Sequence, residues 1–387
     1  MTQPMVLEIN GKPCGSFTKA SATISIEKLS GVFEFTATSS QNILFPINTN
    51  SKCRILINGT SVINGWVEKI TVNYDTTAHD ITINGRDKTC DLIDDCIGGN
   101  LVFNPPISLV DITKILLKSL NLSDIKVSSN VAIEPFSAGE IVAPELGMRG
   151  FDFIEQYARK RQVLITSDGS GNIVFTRSGN SILKTTLLSN PTQYATILSA
   201  SVDVDTTKRY NRYIMVTQAN PSGAGGNTFS DLSTQPEPKK ETYITNEAID
   251  QDIRPSRIKY THMETSTIDD GTVQNRALWE LNLRRCEGFK YMAVVQGFNA
   301  SKDKSIWLPN KLVNIVDEYC NVKGQYLISE VVFNYDLQNG SKTTLKLVDK
   351  DSFTVSIIDA PEQTKKAKVN KQGTIYSLED FSENEGE

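Results

Sequence analysis

Residues able to do chemistry are few in this chain, and their spacing argues against most sites. Two histidines occur in 387 residues, His79 and His262. A Ser-His-Asp or Cys-His arrangement needs a histidine held by packing beside its nucleophile. His79 falls in a predicted hairpin turn and His262 lies near the strand-like run 257–263, so neither meets that need. Two isolated imidazoles also supply no ligand cluster for a metal. Paired carboxylates are the more serious option, because glycoside hydrolysis asks only for two acids across a cleft. Asp91, Asp94 and Asp95 crowd the segment after Arg86. Acids near a helix start are favoured by the helix dipole in any case, and no aromatic-lined subsite accompanies them. Solvated helix-start acids are the better reading.

The remaining candidates reduce to architecture. Six cysteines (Cys14, Cys53, Cys90, Cys96, Cys286 and Cys320) lack paired metal-ligand spacing. Cys90 and Cys96 are the closest pair, and on a predicted helix they stand ~9 Å apart, beyond the ~7 Å reach of a disulfide. Reduced, mostly buried thiols are expected. The run Gly223-Ala224-Gly225-Gly226 lacks the Lys-Ser/Thr and the strand-loop-helix setting of a phosphate loop. Asp168 to Asn172 offers calcium-like oxygens, but five turn-formers between two alternating strands describe an ordinary hairpin. The expectation is no catalytic residue, no cofactor and no metal. A large folded chain without a site is usually built to hold other chains.

The elements that would position such residues follow a repeated plan. Val67 to Asp75, a turn, and Asp80 to Asp87 alternate apolar and polar residues. Ile328 to Asp336, a turn, and Thr344 to Asp351 do the same, and both first runs end in Asn-Tyr-Asp. Period-two alternation around a polar loop predicts a hairpin with one buried face. Upstream, Lys52 to Ile57 is echoed by Lys311 to Val316, with Gly65 and Gly324 following. One β module is therefore used twice, with a different domain between.

Other strands are predicted at 6–9, 21–26, 32–38, 62–72, 163–166, 173–176, 197–204, 212–217 and 291–297. Helices are predicted at 87–97, ended by Gly98-Gly99, and at 108–120, where Ser108 and Asp111 form a capping-box-like start. Two more cover 151–162 and 272–287. The fold class is α+β and β-rich, with two similar small β-barrel-like domains separated by an α+β domain and a flexible C-terminal tail. The predicted boundaries are 1–95 for the first barrel-like domain and 96–195 for the middle domain. The second barrel-like domain spans 196–358 with an inserted Gly/Ser/Pro-rich loop at 220–240, and the tail is 359–387.

Composition narrows the class. Hydrophobic residues at 39% and charged residues at 22% fit a globular chain, and its length calls for two or three domains. A net charge of −5 argues against a surface that neutralises many phosphates. The first residues show neither a basic region nor a long apolar run, and no stretch reaches the ~20 apolar residues of a membrane span. Synthesis in a cytoplasm is expected, which leaves the sequons at Asn58, Asn121, Asn299 and Asn339 without meaning.

Three runs resemble the Mu-like contractile phage tail baseplate hub family. Ile81 to Leu92 is similar to its strand, Gly-Arg and following Asp-Leu helix. Phe153 to Arg161, a strand and an Asp-x-x-Gly-type hairpin resemble its middle region. Trp307 to Val313 and Gly324 to Ile328 resemble its second barrel. The likeness covers roughly 60–350 and excludes the loop and the tail.

It implies a homotrimer joining a sixfold tail tube to a threefold membrane-puncturing spike, since three chains with two barrels each make six. The implied partners are the chain itself, the tube or tube-initiator protein, the spike and other baseplate proteins. No sequence-specific nucleic-acid binding and no stable membrane insertion are expected, with a central pore open to DNA. The implied location is the virion baseplate, assembled in the host bacterial cytoplasm. Alternatives are a tail-associated cell-wall hydrolase and the hub of a phage-tail-like secretion or bacteriocin particle. Gly85, Arg86, Asp87, Asp91, Trp307 and Pro309 are the structural or interface candidates, with Arg86 and Asp87 bracing the exit from the first barrel.

Overall fold

Alternation in the sequence becomes alternation in burial. In the computed structural model, Met5, Leu7 and Ile9 of β1 (Met5–Ile9) are buried while Val6 and Glu8 face outward. The model describes residues 4–14, 17–39, 47–74, 79–99, 101–138, 140, 142–179, 181–189, 196–218, 243–262, 270–301 and 305–350. All of these fall within one compact unit, Met1–Val355. The predicted loop 220–240 and tail 359–387 lie outside the described residues.

The first strand-rich segment continues with β2 (Lys12–Cys14), β3 (Lys19–Ser25), β4 (Val32–Ser39), β5 (Lys52–Ile57), β6 (Thr60–Tyr74) and β7 (His79–Asp87). The chain then forms α1 (Cys90–Asp94), α2 (Leu109–Ser119), β8 (Val127–Ser129), α3 (Gly150–Lys160), β9 (Leu164–Ser167) and β10 (Ile173–Thr176). Helices α2 and α3 bury Leu109, Ile112, Leu116, Phe153, Ile154 and Tyr157 in a core shared with the small β8-β10-β9 sheet. The predicted cap of α2 is present: Ser108 Oγ accepts the Asp111 N–H at 3.1 Å.

Next come β11 (Ile182–Leu188), β12 (Ile197–Val204), β13 (Arg212–Gln218), β14 (Tyr243–Ile249), β15 (Ile258–His262) and α4 (Asp270–Gly288). Strands β13 to β15 form a separate three-stranded sheet, against which α4 buries Val273, Ala277 and Leu281. The chain ends in β16 (Phe289–Gln296), β17 (Leu312–Asp317), β18 (Val322–Asp336) and β19 (Gly340–Asp349).

Two sequence expectations change here. The helix predicted over 87–97 is helical only at α1, because Asp95 turns extended. Its carbonyl accepts the Gly150 N–H, Ile97 donates to the Met148 carbonyl, and Cys96 bridges to Arg149. Pairing with 147–150 thus competes with the helix and wins, so Cys90 and Cys96 share no helix. His79, assigned to a turn, is instead the first residue of β7, with its ring stacked on Tyr74 at 6.0 Å.

The duplication is real and extends beyond one hairpin. The order β3-β4-β7-β6-β5 matches β12-β16-β19-β18-β17. Both long central strands have 15 residues and carry a β-bulge, Glu68 in one and Ser329 in the other, at matching positions. Lys52–Ile57 and Leu312–Asp317 share one burial pattern apart from the first residue. The sequence echo at Lys311 is therefore one residue early, and in a strand that slip inverts the faces. For the same reason Gly65, which faces Asp87, has Tyr326 facing Asp349 as its counterpart rather than Gly324.

The modules do not close separately. Strand β18 pairs antiparallel with β3 from Glu330↔Ser25 to Asp336↔Lys19, fusing both into a single 13-stranded sheet over one core.

Candidate functional site at the barrel exit

The sequence candidates near residue 86 sit where β6 and β7 approach most closely. A Cβ on Gly85 would lie 2.0 Å from the Trp66 carbonyl oxygen and 2.5 Å from the Phe33 ring. One on Gly65 would lie 1.9 Å from the Arg86 carbonyl oxygen. Only glycine permits such backbone contact. The bulge follows immediately, with Glu68 left unpaired in the ladder on the same side as Trp66 and Arg86.

Arg86 is the centre of the exposed half of the site. Its Nε and Nη2 each reach a Glu68 carboxylate oxygen at 2.6 Å, and Nη2 also reaches Asp94 Oδ2 at 2.5 Å. Hydrogen bonds donated to Glu68 and then to Asp94 raise the Arg86 pKa above its ordinary value, and Arg86 in turn holds Asp94 below the ordinary carboxylate range. Trp66 faces Arg86 across the ladder and donates its Nε1–H to Asp91 Oδ2 at 3.1 Å. Burial pushes the Asp91 pKa up, opposed by that hydrogen bond. Carboxylates shifted in opposite directions can serve as an acid-base pair. Here both Asp94 oxygens are held by Arg86, and Asp91 is taken by Trp66 and the Cys90 thiol.

Asp87 forms the buried half and is 1% exposed. Its Oδ1 accepts the Thr89 N–H at 3.0 Å and the Thr89 hydroxyl at 2.9 Å, while Oδ2 accepts the Ser167 hydroxyl at 3.2 Å. Burial pushes its pKa up to about 6 against those hydrogen bonds. Ser167 leads into the hairpin read as calcium-like, and there Asp168 Oδ1 accepts the N–H groups of Ser170 and Asn172. The hairpin tip docks on the first module: Ser61 donates to the Gly169 carbonyl at 2.6 Å and Asn64 to the Ser170 carbonyl at 3.0 Å.

A similar latch holds the second module. Asn310, with φ of 62°, donates to the Arg177 carbonyl and accepts the Gly179 N–H, both at 3.0 Å. Asp87, Ser167 and Pro309 line one cavity of about 290 Å³. Trp307 is apart from it, buried in the main core. The candidates thus divide into an exposed cluster of Arg86 and Asp91, a buried joint of Asp87 and Pro309, and two packing residues, Gly85 and Trp307. Sequence reasoning missed Trp66, Glu68, Ser167 and Asn310. A signal existed only for Glu68, because the apolar positions Val67 and Ile70 stand three apart where alternation requires two.

Comparison with known proteins shows what this arrangement resembles. Residues 4–87, ending at the buried aspartate, match the N-terminal domain of the Mu phage baseplate assembly protein GpP-like family. Residues 269–356 match the fourth domain of the Mu phage baseplate assembly protein GpP. The baseplate hub protein gp44 of Escherichia phage Mu is 26% identical over 395 residues, covering 98% of this chain and 97% of that one. The 43 kDa tail protein of prophage MuSo2 from Shewanella oneidensis superposes with a TM-score of 0.75 at 26% identity, over 91% of this chain and 99% of that chain. A tail protein from Neisseria meningitidis MC58 shares the fold, with a TM-score of 0.75 at 16% identity over 90% and 97% of the two chains. These relatives are baseplate and tail proteins rather than enzymes. Over nearly its whole length the chain is similar to Mu-like phage tail baseplate hub proteins, which supports a structural role in a phage tail baseplate.

Proposed function

We propose that the chain acts as a homotrimer at the centre of the baseplate, joining a sixfold tail tube to a threefold spike. One observation carries this reading: each chain holds two copies of one module, with the same strand order and the same bulge. Three chains then present six equivalent modules to a tube while keeping a threefold face for a trimeric spike. In this reading 1–95 and 196–358 supply the tube-facing modules, with β11 from 96–195 added to the second sheet. Arg86 and Asp87 brace the exit from the first module, and Asp91, Gly85, Trp307 and Pro309 support that joint or its packing. The tube or tube-initiator protein, the spike and neighbouring baseplate proteins are the partners. The protein acts in the virion after assembly in the host cytoplasm.

The test is the mass in solution. Light scattering at micromolar concentration should give about three times the chain mass of 42.8 kDa, and negative-stain averages should show a ring of near-sixfold appearance. A stable monomer would overturn the proposal.

A further inference from the structure

The repeat makes the chain its own guide to how copies meet. Beyond Ile328, the edge of β18 turned away from β19 pairs with β3. Beyond Val67, the corresponding edge of β6 pairs with no strand among the described residues. Strand β12 stands to β16 as β3 stands to β4, and its outer edge is also unpaired among the described residues. The match between β3 and β12 is fixed residue by residue, because Ala22 faces Phe33 and Gly85 in one ladder while Val202 faces Tyr291 and Leu347 in the other. Both strands also leave through the same turn: Ser25 Oγ accepts the Glu27 N–H at 3.0 Å, and Asp205 Oδ1 accepts the Thr207 N–H at 2.7 Å.

We infer that β6 of one copy pairs antiparallel with β12 of the next, in the register that β18 and β3 use within the chain. Transferring that register sets Ile70 opposite Val204, Val72 opposite Val202, Tyr74 opposite Ala200 and Lys69 opposite Asp205. Within the chain the same places hold Val331 with Ile24, Phe333 with Ala22, Tyr335 with Ala20 and Glu330 with Ser25.

Exposure follows partnership. Phe333 and Ala22 are fully buried, whereas Val72 is 53% and Val202 37% exposed. Tyr74 at 78% extends the uncovered stripe on β6, and Val204 at 64% extends the one on β12. A large-small pair inside the chain becomes a medium-medium pair between copies, so the volume between the strands is roughly kept. An apolar stripe on an open strand edge invites aggregation unless a partner covers it, and Lys69 opposite Asp205 adds opposite charges at a cross-strand position. The occupant of each edge is a second copy of this chain.

This seam rests on the trimer reading, and the experiment separates the two. Residues facing each other in a ladder have Cα atoms about 4.5–5.5 Å apart, within disulfide range, while diagonal neighbours are about 7–8 Å apart. A Val72→Cys/Val202→Cys variant, with exposed Cys96 changed to Ser, is oxidised mildly and run on a non-reducing denaturing gel. The expected result is a shift from one-chain bands to two- and three-chain bands, while Val72→Cys/Ala200→Cys remains a single chain. As a second test, Lys69→Glu should lower the assembled fraction and Lys69→Glu/Asp205→Lys should restore it. A trimeric mass with no preferential cross-linking, or with no rescue by the charge swap, overturns the seam and leaves the trimer standing. A monomeric mass overturns both.

Discussion

The exit from the first module depends on two adjacent residues that do opposite things. Arg86 is a partly exposed ion-pair hub, whereas Asp87 is a buried carboxylate whose pKa is pushed up to about 6. A carboxylate pKa raised from its ordinary value to about 6 favours the protonated folded form. Its contribution to stability is fully present below the unfolded pKa and is lost as pH rises through the folded one. Asp87→Asn can keep the Thr89 and Ser167 contacts without the charge. Its stability relative to the parent should therefore rise between pH 4 and 7, by about 3 kcal/mol at most, read from urea midpoints at both pH values. Gly85→Ala tests close approach instead. The added methyl meets backbone and the Phe33 ring, so a loss of about 1–3 kcal/mol or more is expected from the same titrations. Arg86 and Asp87 were legible as an exit because they close an alternating strand. Ser167, which holds Asp87 from 80 residues away, was not, because nothing local marks a long-range hydrogen bond.

Among elements, the bulges set which face of each long strand is buried. Deleting Ser329 should invert the faces of Glu330–Asp336 and move Val331 and Phe333 out of the core. Ser329→Ala keeps the residue count and loses only a long bond of 3.4 Å to the Lys346 carbonyl. The deletion should abolish a cooperative urea transition followed by far-ultraviolet circular dichroism, while the alanine variant should unfold within about 1 kcal/mol of the parent. Most strands and α2, α3 and α4 were readable because their periodicity is local, and Ser108 marked the start of α2, whereas β2, β8, β11 and β14 were not read as strands. Helix α1 was overextended because Asp95–Ile97 satisfies its backbone with 147–150, a competitor some 50 residues away.

At the scale of the molecule, the β3–β18 joint makes two modules share one core. Unfolding should therefore be common to both. Variants keeping only Trp66, in the first module, or only Trp307, in the second, should report the same urea midpoint by fluorescence. Separate midpoints would show that the modules unfold independently. The duplication itself could be read from the sequence, since Asn-Tyr-Asp and the alternation recur. The joint could not, because an unpaired edge and its complement look alike until the fold brings them together.

In the proposed six-module ring, that joint would also change the order of the assembly reaction. Ser25 and Ser329, 304 residues apart, meet by folding of a single chain, at a rate independent of concentration. Six separate modules would need successive encounters, each giving up an estimated 4–15 kcal/mol or so of translational and rotational freedom. Tying the modules in pairs halves the number of bodies that must meet, so the population of a six-module ring falls off on dilution as the cube of concentration rather than the sixth power. Such a ring would persist at protein levels that would leave single modules apart.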